Sequence, residues 1–109
     1  MKSQIKYAEG KVKKSFEDLK NSKTEDQKLY KWINRAMDDL EENAFCGIQI
    51  QKKLIPKIYI EKYGIDNLWK YDLPKGWRLI YSVVNGDVQI LSIILEWVSH
   101  KDYERRFGY

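Results

Sequence analysis

Trp77–Tyr103, WRLIYSVVNGDVQILSIILEWVSHKDY, is the stretch on which the fold reading turns. Val83-Val84 and Val88-Gln89-Ile90 flank Asn85-Gly86, and Asn-Gly between β-branched residues is a strong short-range hairpin signal. A type I′ turn there needs positive φ at both central residues, which Asn and Gly tolerate. Beyond it, Val88–Val98 is apolar on both parities: Val88, Ile90, Ile94 and Val98 on one, Leu91, Ile93, Leu95 and Trp97 on the other. A strand apolar on both faces is covered on both faces and belongs in the interior of its sheet. The chain then turns polar at Ser99, His100, Lys101, Asp102 and Tyr103, which marks this region for chemistry.

Upstream, Leu68–Leu73 alternates as a strand, and Pro74-Lys75-Gly76 makes a turn into the strand that starts at Trp77. The pattern predicts three consecutive antiparallel strands at 67–73, 77–84 and 87–98. Before them, Pro56 excludes a central strand over Leu54–Lys62 and suits the first turn of a short helix, which Gly64 ends. Leu29, Trp32, Ile33, Ala36, Met37 and Leu40 form one apolar stripe on a helix running to about Asn43. Thr24 with Gln27 fits its capping box, and Glu25 and Asp26 suit the positive end of the helix dipole. Val12, Phe16 and Leu19 give a shorter first helix whose start is crowded by Lys11, Lys13 and Lys14. Residues 2–8 read as a short strand. The order is β-α-α-β-β-β with a short tail, in which 103–107 form a last helical turn: an α+β domain with a helical hairpin on a small, mostly antiparallel sheet.

At 109 residues the chain holds one domain and one core. Hydrophobic residues at 43% and charged ones at 33% are ordinary for a globular protein. The net charge of +4 is uneven: residues 1–23 carry +4, 24–46 carry −3, 47–69 carry +2 and 70–109 carry +1. That mild excess favours an anionic partner. Cys46 is the only cysteine, which excludes an intrachain disulfide or a thiol-rich metal site and suits a reducing cytoplasm. The start has no apolar leader core, and no window approaches the roughly 18 apolar residues of a membrane span, so no membrane partner is expected.

Gly76-Trp77-Arg78-Leu79-Ile80-Tyr81-Ser82-Val83 is similar to the "YRLIY" or "HRLVY" strand of the RelE/ParE superfamily of toxin–antitoxin toxins. His100-Lys101-Asp102-Tyr103 falls just after the last strand, where ribonuclease members keep a His or Arg and a Tyr. With the element order, the resemblance covers essentially the whole chain. It implies a toxin of a type II toxin–antitoxin system that cleaves mRNA in the ribosomal A site and is neutralised by a cognate antitoxin in a hetero-oligomer. It also implies contacts with rRNA, no metal and no organic cofactor. A second branch of the superfamily inhibits DNA gyrase, and a catalytically inactive, antitoxin-binding member is the other alternative.

Metal-free RNA cleavage by 2′-OH attack needs a base, a cation for the charge on the phosphorane and an acid for the leaving 5′-oxygen. Arg78 falls on the strand arginine of the superfamily, and a guanidinium binds phosphate in bidentate fashion. Its ordinary alternative is a cross-strand ion pair. His100, the only histidine, suits proton transfer because imidazole titrates near neutrality. Tyr103 aligns with the C-terminal tyrosine that positions substrate or assists the leaving group; its alternative is packing of the tail on the sheet. Lys52, Lys53 and Lys57 lie where relatives carry RNA-facing lysines, and Lys101, Arg105 and Arg106 are further candidates for phosphate or rRNA. Some ribonuclease members use a carboxylate as base, for which Glu61 is the nearest candidate without a motif, and Asp102 suits capping of the last turn. General base and general acid stay unassigned.

Overall fold

In the computed structural model, which describes residues 1–108, the strand formed by Ile90–Val98 is an interior strand. The elements in chain order are β1 (Ser3–Tyr7), α1 (Gly10–Lys20), α2 (Thr24–Glu42), β2 (Ile48–Gln49), α3 (Lys57–Tyr63), β3 (Trp69–Asp72), β4 (Arg78–Asn85), β5 (Ile90–Val98) and α4 (His100–Phe107). The sheet runs β1-β5-β4-β3-β2, with β1 parallel to β5 and the other pairs antiparallel. Among the described residues this is an α+β fold with four α-helices and a five-stranded mixed sheet. Gly64 ends α3 in the left-handed region, as the sequence reading expects, whereas Pro56 stands at the N-cap just before the helix and not inside its first turn.

Both faces of the sheet are covered. The α1–α2 hairpin sets Phe16, Leu29, Ile33, Met37 and Leu40 against Leu79, Tyr81 and Ile94. On the opposite face Tyr59 of α3 and Tyr103 of α4 pack with Ile80, Leu95 and Val98. A β-bulge in β5 makes this possible. Ile80 faces Glu96 while Tyr81 faces Ile94, so Leu95 is an extra residue and the alternation flips across it. Trp97 thereby joins the α1–α2 layer, and Val98 joins the layer of α3 and α4.

Three local expectations are corrected. The turn is not type I′ at Asn85-Gly86, because neither residue has positive φ. Asn85 stays in β4 opposite Ile90, Gly86 N–H donates to Gln89 O at 2.8 Å, and Asp87-Val88 form the tip. Val88 therefore leaves the strand and is 95% exposed. Gly86 is needed for closeness instead: a Cβ there would lie 2.6 Å from Gln89 O. Thr24 is not a cap. Lys23 holds that position, while Gln27 Nε2 donates to Ser22 O at 2.8 Å and Ser22 Oγ donates to Asp26 at 2.7 Å, so the clasp lies two residues upstream of Thr24. The tail is not a single turn from 103 but an eight-residue helix that starts at His100, with Ser99 Oγ, not Asp102, as its capping acceptor.

Burial raises the Tyr7, Tyr59, Tyr71 and Tyr81 hydroxyls above the ordinary tyrosine range, Tyr71 to about 12 with help from the Asp39 carboxylate that it donates to. A raised phenol favours folding while neutral, so this contribution is intact below about pH 10 and is lost as pH rises through about 12. Alkaline titration of tyrosinate absorbance should show fewer tyrosines ionised near pH 11 in the native chain than in denaturant. Identical curves would contradict these burials.

Candidate functional site

Antiparallel partners share a sheet face, and the register places two polar rows on the face away from the α1–α2 hairpin. Asp72, Arg78 and Val98 form one row across β3, β4 and β5; Lys70, Ile80 and Glu96 form the next. Asp72 Oδ1 lies 2.9 Å from Lys70 Nζ and 3.6 Å from Arg78 Nε. Arg78 Nη1 also donates to Gly76 O. Both cations lie over one ring: the Arg78 guanidinium is 4.7 Å and Lys70 Nζ 5.5 Å from the Tyr103 centroid. Lys70 and Arg78 are only 16% and 17% exposed, so their charges sit where water screens them weakly. Two cations against Asp72 give this cluster a net positive charge over the Tyr103 ring, with Glu104 the second carboxylate nearby.

His100 stands across a pocket of about 280 Å³ lined by Lys70, Arg78, His100, Tyr103 and Glu104. It is the first residue of α4, and its Nε2 pairs with Glu104 one turn on. The Glu104 carboxylate can only accept, so it fixes Nε2 as a donor and leaves Nδ1 as the other ring position. The turn before β4 fixes where His100 stands: Gly76 has φ of 79°, and a Cβ there would come within 2.9 Å of His100 Cβ. Lys75, beside it, holds a left-handed φ of 62°, strain of about 1–2 kcal/mol for a non-glycine residue. Gly76→Ala is expected to cost about 1–3 kcal/mol in thermal or urea unfolding and to push His100 from its place. An unchanged midpoint would show that the turn yields freely.

The other expected residues divide. Tyr103 is buried with its hydroxyl enclosed, and its ring stacks on Phe107 at 4.4 Å. The packing alternative therefore describes its place, and its link to the site is the ring face that carries Arg78 and Lys70. Arg78 likewise makes the cross-strand pair with Asp72, though in a half-buried setting beside the pocket. Arg106 is drawn away from solvent chemistry: it pairs with Glu96 and donates to Tyr59 Oη at 3.4 Å, clamping α4 to α3 and β5. Glu96 and Tyr59 raise its pKa further. Arg105 pairs with Asp102 at 3.7 Å. Lys101 is exposed on α4, Lys52 and Lys53 lie in a 3₁₀ turn after β2, and Lys57 opens α3; none of the four lines the pocket. Glu61, exposed on α3, is not in it either.

Sequence reading missed Lys70, Asp72 and Glu104. Lys70 and Asp72 share one parity of the alternating LWKYDL strand, a legible signal once that parity is assigned to the Arg78 face. Glu104 becomes a partner of His100 only when both lie on one helix, at i and i+4.

No protein-family model, curated protein or solved structure matches this chain.

The site's meaning therefore rests on its own chemistry. Lys70 and Arg78 can hold a phosphate, and His100 at the rim can move a proton. Among the described residues no three His, Cys, Asp or Glu side chains gather as a metal site. No helix among them is long and apolar enough to cross a membrane.

Proposed function

We propose that the chain is a RelE-like toxin of a type II toxin–antitoxin system that cleaves mRNA in the ribosomal A site. One observation carries the reading: Arg78 and Lys70, joined through Asp72 and laid on Tyr103, share a single pocket with the His100–Glu104 pair. The 2′-oxygen of one nucleotide attacks the adjacent phosphorus, and its proton passes to a base. The P–O5′ bond breaks and the 5′-oxygen takes a proton, which leaves a 2′,3′-cyclic phosphate and a 5′-hydroxyl. Arg78 and Lys70 stabilise the negative charge that builds on the phosphorane. His100 carries a proton to or from the reacting oxygens, and Glu104 holds the imidazole in one tautomer. Tyr103 acts beneath the cations as a positioning residue. The working partners are ribosome-bound mRNA, rRNA and a cognate antitoxin, in the cytoplasm. The helical hairpin followed by a strand meander supports this reading, as does the GWRLIY strand.

The test is translation with intact ribosomes and mapping of mRNA ends. Wild-type protein should cut within A-site codons, and His100→Ala should cut at least about 100-fold more slowly. Cleavage unaffected by His100→Ala would keep the activity and remove His100 as the proton carrier. Intact mRNA with normal translation sinks the reading and points to gyrase supercoiling as the next assay.

A further inference from the structure

The turn Pro74–Gly76 has a second side. Its inner side is tied to the site through Gly76, which accepts from Arg78 and leaves no room for a Cβ beside His100. Its outer side borders a cleft of about 610 Å³ between this turn and the first half of α2. Trp32 and Trp77, both half-buried, line that cleft, with Lys28 and Lys75 exposed at its rim. Trp77 is the residue between Gly76 and the catalytic candidate Arg78, so the cleft and the pocket are separated by one turn of chain. Lys23 stands at the same rim.

We infer that this cleft is a subsite for single-stranded RNA next to the scissile phosphate, with a base against the Trp32 and Trp77 indoles and the backbone phosphates on Lys28 and Lys75. The inference rests on the ribonuclease reading and extends it to the nucleotides that flank the cut. Three features favour this occupant. Two half-buried indoles line the cleft, and base stacking on aromatic side chains with flanking cations is how sequence-tolerant single-strand sites are built. Lys23, Lys28 and Lys75 form no ion pair with another described residue, whereas Lys70, Arg78, Arg105 and Arg106 are all paired. Lys75 is held at a left-handed φ of 62°, a conformation that costs a lysine and that the turn nonetheless keeps beside the site. Glu25 and Asp26 also line the cleft, so its three lysines exceed its carboxylates by one charge.

The experiment is equilibrium binding of the full chain to a 2′-deoxy single-stranded oligonucleotide of about ten nucleotides, followed by indole fluorescence over a range of salt. The probe lacks the 2′-hydroxyl, so it cannot be cleaved and binding is read apart from catalysis. Wild-type protein should bind with indole quenching, and Trp77→Leu should weaken binding roughly 5- to 100-fold. The Lys28→Ala, Lys75→Ala double variant, which changes only exposed side chains, should lower the log–log salt slope by roughly 1.4. An absence of probe binding by the wild type overturns the inference. So does a double variant that folds and retains the wild-type affinity and slope. If these variants weaken the probe but wild-type protein leaves ribosomal mRNA intact, the subsite stands and the endonuclease reading falls. If wild-type protein cuts mRNA while the variants bind the probe like wild type, the reverse holds.

Discussion

Arg78→Ala is expected to slow A-site cleavage by about 10²- to 10³-fold, the usual loss when one group that stabilises developing charge is removed. The fold should survive the change. Asp72 keeps Lys70 at 2.9 Å, so no carboxylate is stranded, and Tyr103 remains packed on Phe107. The structural loss is the cation–π contact, the bond to Gly76 O and the pair with Asp72, on the order of 1–3 kcal/mol in all. Arg78→Lys should recover little of the rate, because an ammonium cannot form the planar fork that grips two phosphate oxygens. Parallel measurements of mRNA end formation and thermal unfolding separate the two effects. A cleavage rate within tenfold of wild type, from a variant that melts normally, would reduce Arg78 to a cross-strand partner of Asp72.

Ile94→Ala and Leu95→Ala are each expected to destabilise the protein by about 2–5 kcal/mol in urea unfolding, although the residues are adjacent. On a regular strand with one solvated face, one of two neighbours would point to water. Here Ile94 is 0% and Leu95 1% exposed, one beneath the α1–α2 hairpin and the other beneath α3. Against the 5–15 kcal/mol typical of a domain, either loss is severe. Val88→Ala is the control, expected within about 0.5 kcal/mol because its side chain stands in solvent. A large loss at Val88 with a small one at Leu95 would restore the two-residue Asn85-Gly86 turn.

That turn shows where sequence reading reached its limit. A two-residue loop at Asn85-Gly86 would set Val84 opposite Asp87; the structure sets it opposite Leu91. The slip is an even number of residues, so every side chain keeps its sheet face, and the alternating pattern cannot tell the two registers apart. Core packing chose between them, with Tyr81 brought opposite Ile94. The bulge at Leu95 was hidden for a related reason, since apolar residues on both parities look alike whether or not the alternation flips.

The candidate site followed the same division. Arg78 and His100 were legible as residue types at the start of one strand and just past the end of another. Their joint pocket was not, because it depends on Asp72 and Arg78 pairing across two strands and on α4 starting at His100. Arg106 read as one more basic residue of the tail, and only the fold shows it bound to Glu96 and Tyr59. What the sequence by itself determined was the α+β class, the α2 stripe, the end of α3 at Gly64 and the interior place of the last strand, but not the short edge strand β2 or the full length of α4. The features it did determine follow from periodicity and from backbone preferences that act within a few residues. The strand register, the bulge and the company that each charge keeps were decided only by tertiary structure, because they depend on which distant side chains fill the same volume.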